Sequence, residues 1–177
     1  YLKEERPDPL GTDAMVGSYL GPEFSQKNIE ERLTQAGAVF QTLEDTELYN
    51  AAAKAIAEEN AVGWFQGRME FGPRALGNRS ILGDPRSPSM QSVLNLKVKF
   101  RESFRPFAPS VLREHVQDWF DHDTDSPYML MVSDVAEKRQ KQMTEEETSL
   151  FGIEKLNIPR SDIPAVTHVD YSARIQT

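Results

Sequence analysis

The chain has 177 residues, 38% of them hydrophobic and 27% charged, with no cysteine and a formal net charge of −8. That describes one soluble globular domain with its own core, and it excludes a disordered chain, a disulfide scaffold and thiolate chemistry. No apolar run approaches the ~18–20 residues of a bilayer span, and the charged start Tyr1-Leu2-Lys3-Glu4-Glu5-Arg6 lacks a signal-peptide core, so a cytoplasmic protein without a membrane partner is expected.

The charge is unevenly placed. Between Arg68 and Arg113 nine basic residues face three acids, a local surplus of six that leaves the remainder of the chain at −14. An acidic protein with one concentrated basic segment points to a pocket for a small anion; the alternative is a solvated basic face, and a general affinity for nucleic acid is not expected.

In chain order, residues 1–24 read as a linker or arm, punctuated by Pro7, Pro9, Gly11, Gly17, Gly21 and Pro22. Residues 25–177 read as the domain. Ser25 is placed to cap a helix through Gln35, ending at Gly37, and Ala38 to Leu43 reads as a short strand. A second helix is expected from Asp45 to Glu59, with Leu48, Ala52, Ala55 and Ile56 on one face. Ala61 to Phe65 then reads as a buried strand.

That strand leads into Gly67-Arg68-Met69-Glu70-Phe71-Gly72-Pro73-Arg74-Ala75-Leu76-Gly77-Asn78-Arg79-Ser80-Ile81-Leu82. Three arginines, three glycines and one glutamate suit neither a packed helix nor an ordinary strand. Glycine permits tight turns and close approach of backbone to a ligand, and arginine presents a rigid fork to phosphate or carboxylate. Pro73 suits a first helical position, which would add a helix N-terminus to the anion site. Glu70 reads as a positioning partner for one arginine or a ligand contact; Asn78 and Asn95 read as amide contacts or turn caps.

Further on, Pro88 to Leu96 reads as a helix, and Lys97 to Arg101 as a strand with Lys97, Lys99 and Arg101 on one face. Phe104 to Leu112 reads as an edge strand or extended segment, Arg113 to Phe120 as a helix and Pro127 to Val132 as a strand. The charged run from Ala136 to Ser149 is a solvated helix or loop, and Ile163 to Asp170 returns to strand character. Three scattered histidines make a poor metal site, so no protein-held metal is expected. No Walker A loop, dinucleotide fingerprint or nucleophile elbow is present.

The motif from Gly67 to Leu82 resembles the signature of the nodulation-type O-carbamoyltransferases, enzymes that carbamoylate nodulation factors and aminoglycoside and cephem antibiotics. The likeness continues through Asn95-Leu96-Lys97-Val98-Lys99-Phe100-Arg101-Glu102-Ser103-Phe104-Arg105-Pro106-Phe107-Ala108-Pro109-Ser110. It resumes at Pro127-Tyr128-Met129, at Pro164 to Asp170 and at Ala173-Arg174-Ile175-Gln176-Thr177.

The resemblance implies the family's C-terminal domain: a YrdC-like α/β (α+β) fold, a twisted mixed β-sheet flanked by helices. It implies binding of carbamoyl phosphate and of ATP with magnesium, and formation of a carbamoyl-adenylate. A larger N-terminal domain, with an actin-like ATPase fold and an iron ion, would pass the carbamoyl group to a substrate hydroxyl; that domain has no counterpart here. A homodimer is left open. By motif position Arg68, Arg74, Lys99 and Arg105 would serve catalysis, with Arg79, Ser80, Arg101, His168, Asp170 and Arg174 around substrate and nucleotide. The alternatives are an RNA- or nucleotide-binding module of YrdC-like fold without catalysis, and a ligand-sensing domain.

The residues suit that chemistry. A phosphate dianion brought to another anion at ~4 Å meets a repulsion of roughly 4 kcal/mol per unit pair at an effective dielectric near 20, so several cations are needed to let them meet.

Overall fold

A computed structural model describes residue 13 and residues 15–177. Its fold mixes α and β elements, but the described residues carry two separate two-stranded antiparallel ladders in place of one twisted mixed sheet. Among these residues no helix is long and apolar enough to cross a membrane.

Helix α1 (Gln26–Gln35) begins where expected: the Ser25 hydroxyl accepts from the Asn28 N–H at 3.3 Å, and Gly37 ends it at φ 69°. Helix α2 (Asp45–Ala57) half-buries Ala52, Ala55 and Ile56, and its Tyr49 ring lies 6.3 Å from Trp64 on strand β1 (Val62–Phe65). The stretch from Ala38 to Leu43 forms no ladder, and Val39 is fully exposed.

Strand β1 pairs with β2 (Arg79–Leu82), from Val62 opposite Leu82 to Phe65 opposite Arg79. The glycine- and arginine-rich motif is therefore the connection of a β-hairpin. No helix starts at Pro73. Backbone N–H groups that would enter a helix are taken instead by the Glu70 carboxylate, and Gly72 and Gly77 turn at φ 126° and 116°.

Helix α3 (Met90–Val93) runs on into a π-helical turn, Leu94–Val98, so Lys97 to Arg101 is not the expected strand. The turn is closed by the Lys99 N–H donating to the Leu94 carbonyl at 2.9 Å, and Phe100 then reverses the chain at φ 48°. From Arg105 to Leu112 the chain forms neither helix nor ladder, and Ser110 makes an isolated parallel bridge to Gln176. A 3₁₀ turn at Arg113–His115 leads into α4 (Val116–Trp119).

Strand β3 (Val132–Asp134) starts later than the sequence suggests and pairs with β4 (Ser172–Arg174). Between them the charged run holds the short helix α5 (Glu145–Ser149), with a reciprocal Thr144–Glu147 capping box, followed by α6 (Ile153–Leu156). Ile163 to Asp170 is not a strand: Pro164 opens a 3₁₀ turn, Pro164–Val166, and pairing begins only at Ser172.

The larger buried cluster unites Val116, Phe120, Val135, Ile163, Val166, Ala173 and Ile175, and a smaller one holds Met90, Leu94 and Ala165. Phe107 packs against both. Helices α1 and α2 bury no residue completely, so the core belongs to the C-terminal half. Ile175→Ala is expected to remove about 3 kcal/mol from a urea unfolding curve. Phe65→Ala, at a ring 55% exposed, is expected to remove less than about 1 kcal/mol.

Candidate anion-binding site

The hairpin connection is organised by a carboxylate. Glu70 Oε1 accepts from the backbone N–H groups of Leu76, Asn78 and Arg79 at 2.8, 2.7 and 3.1 Å. Glu70 therefore holds the loop's backbone, and neither of the roles read from its arginine neighbours describes it. Burial raises its pKa, but the backbone donors outweigh that and hold it below the usual glutamate range. The Gly77 N–H donates to the Ser80 hydroxyl at 3.1 Å, closing the turn after Arg74.

Residues Ser18 to Pro22, read from sequence as part of an arm, lie along this loop. Phe71 N–H donates to the Ser18 carbonyl, Gly21 and Met69 exchange N–H donors with the Met69 and Pro22 carbonyls, and the Tyr19 hydroxyl donates to Leu76 O at 2.8 Å. Of that arm, residues 1–12 and 14 lie outside the described residues. From the other end of the chain, Gln176 Nε2 also donates to Leu76 O, at 2.8 Å.

Beside the loop is a cavity of about 300 Å³. Arg74 and Ser80 reach it from the hairpin, Lys99 and Arg101 from the turn after α3, and Arg174 and Gln176 from the chain's end. Four cations thus line one space with no acid among its lining residues. Among the described residues none of the four has a carboxylate within ion-pair distance. A larger open cavity of about 880 Å³ has the opposite character: Asp121, Asp123, Asp134 and Glu137 line it with no lysine or arginine.

The cationic cavity is electrostatically incomplete. Burial, and behind it the charge of Arg74, pulls the Arg174 pKa below its ordinary value. The buried Arg174 Nε has no hydrogen-bond partner among the described residues. Guanidinium stays charged in proteins, so this crowding disfavours the protein by itself and favours a bound anion. On its other side the cavity shares Ile81, Leu82, Phe107, Ala108 and Ser110 with an apolar cavity of about 260 Å³.

Arg74, Ser80, Lys99, Arg101 and Arg174 are thus the sequence-nominated residues brought together here. The other nominees lie elsewhere. Arg68 donates to the Gly21 carbonyl and faces Glu23 at 3.7 Å, and Arg105 is paired with Glu102 at 2.7 Å. Arg79 stacks 3.4 Å over the Phe65 ring centroid and donates to the Gln66, Gly67 and Asn78 carbonyls, fastening the hairpin. His168 and Asp170 shape the turn before β4: His168 Nδ1 lies 3.0 Å from Ser172 Oγ, which donates to Asp170 at 2.7 Å. Burial lowers the His168 pKa, and the Ser172 donors lower that of Asp170.

Gln176 was not among the nominees. Its signal is the alternation Ala173-Arg174-Ile175-Gln176, in which Ala173 and Ile175 are fully buried and Arg174 and Gln176 turn to the cavity. Among the described residues no cluster of three or more His, Asp or Glu side chains is placed to hold a metal ion.

A family model described as carbamoyltransferase C-terminus matches residues 53–177. An uncharacterised protein of Synechocystis sp., sll1178, is 60% identical over 179 residues, covering 100% of this chain and 29% of its own length. The nodulation protein NolNO of Sinorhizobium fredii is 40% identical over 90% of this chain and 21% of its own. The 3'-hydroxymethylcephem-O-carbamoyltransferase of Streptomyces clavuligerus is 39% identical over 72% of this chain and 20% of its own. The chain therefore spans less than a third of these relatives.

Glu70→Gln keeps an acceptor but loses the charge that three N–H groups share, and is expected to cost about 1–3 kcal/mol at pH 7. Because the folded-state pKa is lowered, the wild-type contribution is present above about pH 4.5 and lost as pH falls through the lower folded value. Urea melts between pH 7 and 3 should therefore converge for the two proteins at the acid end.

Proposed function

This chain belongs to the carbamoyltransferase C-terminus family, and on that footing we propose that its cationic cavity binds carbamoyl phosphate beside ATP and forms a carbamoyl-adenylate. The observation that carries the reading is the convergence of Arg74, Lys99, Arg101 and Arg174 on one space without an acid. The YrdC-like kinship of the fold and the cytoplasmic setting belong to the same reading.

The residues fit the two ligands. Carbamoyl phosphate and the nucleotide's phosphates are polyanions, and the four cations that line the cavity are donors suited to phosphate oxygens. The adjoining apolar cavity gives the nucleotide's less polar part a wall, with Phe107 between the two spaces. Magnesium would arrive on the nucleotide's phosphates, since that ion is commonly held by substrate phosphates and few carboxylates. In forming the adenylate, hydrolysis of carbamoyl phosphate would give carbamate and inorganic phosphate. The carbamate oxygen would attack the ATP α-phosphorus as pyrophosphate leaves, and the four cations would offset the charge that accumulates there. The Glu70 anchor keeps Arg74 in place without entering the cavity and cancelling its charge.

The relative named as a 3'-hydroxymethylcephem-O-carbamoyltransferase supports delivery of the carbamoyl group to a substrate hydroxyl. It is much longer than this chain, so acceptor binding and transfer, with the iron, are assigned to a further domain of the same protein.

Calorimetric titration tests the proposal. Carbamoyl phosphate or ATP is expected to bind, and Arg74→Ala or Lys99→Ala to weaken binding by about 1.5–3 kcal/mol, the worth of a charged hydrogen bond. No binding of either ligand at millimolar concentration, with RNA bound instead, overturns it. By itself the chain is expected to carbamoylate no acceptor; turnover of a sugar or cephem by this chain alone would refute the division of labour.

A further inference from the structure

We propose that Asn95 is a positioning residue of the anion site, holding Arg101 by its Nε so that the two terminal nitrogens are left for a bound phosphate. The inference rests on the anion-binding reading above and adds a residue outside the cavity's own lining.

Asn95 is completely buried, in the π-helical turn Leu94–Val98. Its amide is fully used. Nδ2 donates to the Ser103 and Arg105 carbonyls at 2.9 and 2.8 Å, and Oδ1 accepts from Arg101 Nε at 2.6 Å. Two carbonyls on the nitrogen side leave the amide a single orientation, so the oxygen must face Arg101. The Asn95 backbone carbonyl also accepts from the Arg101 N–H at 3.0 Å. Asn95 therefore grips Arg101 at both its backbone and its guanidinium.

The rest of Arg101 fits that role. Its guanidinium carbon lies 5.0 Å from the centroid of the Phe107 ring, which fixes a second side of the group. The terminal nitrogens make no hydrogen bond among the described residues, and the side chain lines the cationic cavity. In sequence between Lys99 and Arg101 stands Phe100, 85% exposed and at φ 48°. A phenylalanine keeps such a backbone only where its surroundings over-determine it. Asn95, bonded to residues 101, 103 and 105, supplies that constraint, and π turns are frequent at functional sites. The competing account is that Asn95 merely satisfies loop carbonyls and Arg101 acts as a plain positive charge.

Two measurements on the 177-residue chain separate these accounts. In ¹⁵N spectra the Arg101 Nε–H, assigned through Arg101→Lys, is expected to be sharp and protected from exchange, and to lose that protection in Asn95→Ser. Titration with inorganic phosphate is expected to show about a tenfold loss of affinity in Asn95→Ser, and less than about twofold further loss when Asn95→Ser is added to Arg101→Ala. Arg101→Lys keeps the charge without an Nε–H or a terminal fork, so it is expected to lose affinity for phosphate as well, though by less than Arg101→Ala. This variant keeps the test open even if Asn95→Ser fails to fold.

An exchange-labile Nε–H in the wild type, equal losses for Asn95→Ser with and without Arg101, or full affinity in Arg101→Lys would each overturn the inference. A wild-type chain that shows the protected Nε–H yet binds no phosphate would sink the anion reading, and with it the purpose assigned to Asn95, while leaving the Asn95–Arg101 bond established.

Discussion

Four positive charges cannot share a space of a few hundred Å³ unless the surrounding structure holds them there against their mutual repulsion. In this protein that constraint is met outside the cavity. Glu70 gathers three backbone N–H groups of the hairpin connection onto one oxygen, and Arg74 stands on the backbone so fixed. Asn95 does the corresponding work for the turn that carries Lys99 and Arg101. One anchor is a carboxylate spent on backbone, the other a neutral amide, so neither forms an ion pair with a cation of the cavity. A carboxylate paired directly with Arg74 or Arg174 would relieve their repulsion and cancel the field that a phosphate would feel.

The third wall comes from the chain's end. Ala173 and Ile175 lock it into the main core, and the alternation of a strand then turns Arg174 and Gln176 toward the cavity. The Gln176 carbonyl and N–H pair with Val111 and Pro109, while its side chain crosses to Leu76 O in the motif loop, one hundred residues away in sequence. Leu76 O also takes the Tyr19 hydroxyl. One carbonyl of the motif thus ties together the N-terminal strap, the hairpin connection and the last strand. Phe107 does the same for the hydrophobic side, packing on both core clusters and forming part of both cavities.

Paired arginines in the motif illustrate how type alone misleads. Arg68, Arg79 and Arg105 have the same chemistry as Arg74 and Arg101, but Arg68 and Arg105 each face a glutamate, and Arg79 is stacked on a ring and donates to three carbonyls. They fasten the loops that present the others. His168 and Asp170 act similarly, shaping the turn that starts β4 through Ser172.

Local chemistry was sufficient for what depends on neighbours in sequence. Ser25 and Gly37 bound α1, Ala52, Ala55 and Ile56 mark the half-buried face of α2 although Leu48 is exposed, and the crowding of arginine and glycine from Gly67 to Leu82 marks the loop that carries Arg74 to the cationic cavity. Strands were misplaced at Lys97 to Arg101 and at Ile163 to Asp170, because period-two patterning was outcompeted by a π turn and by Pro164. Which arginines remain free, that Glu70 serves backbone rather than guanidinium, and that Gln176 belongs to the site were decided only by tertiary structure. The physical reason is that each depends on partners far away along the chain: a cation's availability is set by whether a carbonyl or carboxylate reaches it, and composition carries no record of that.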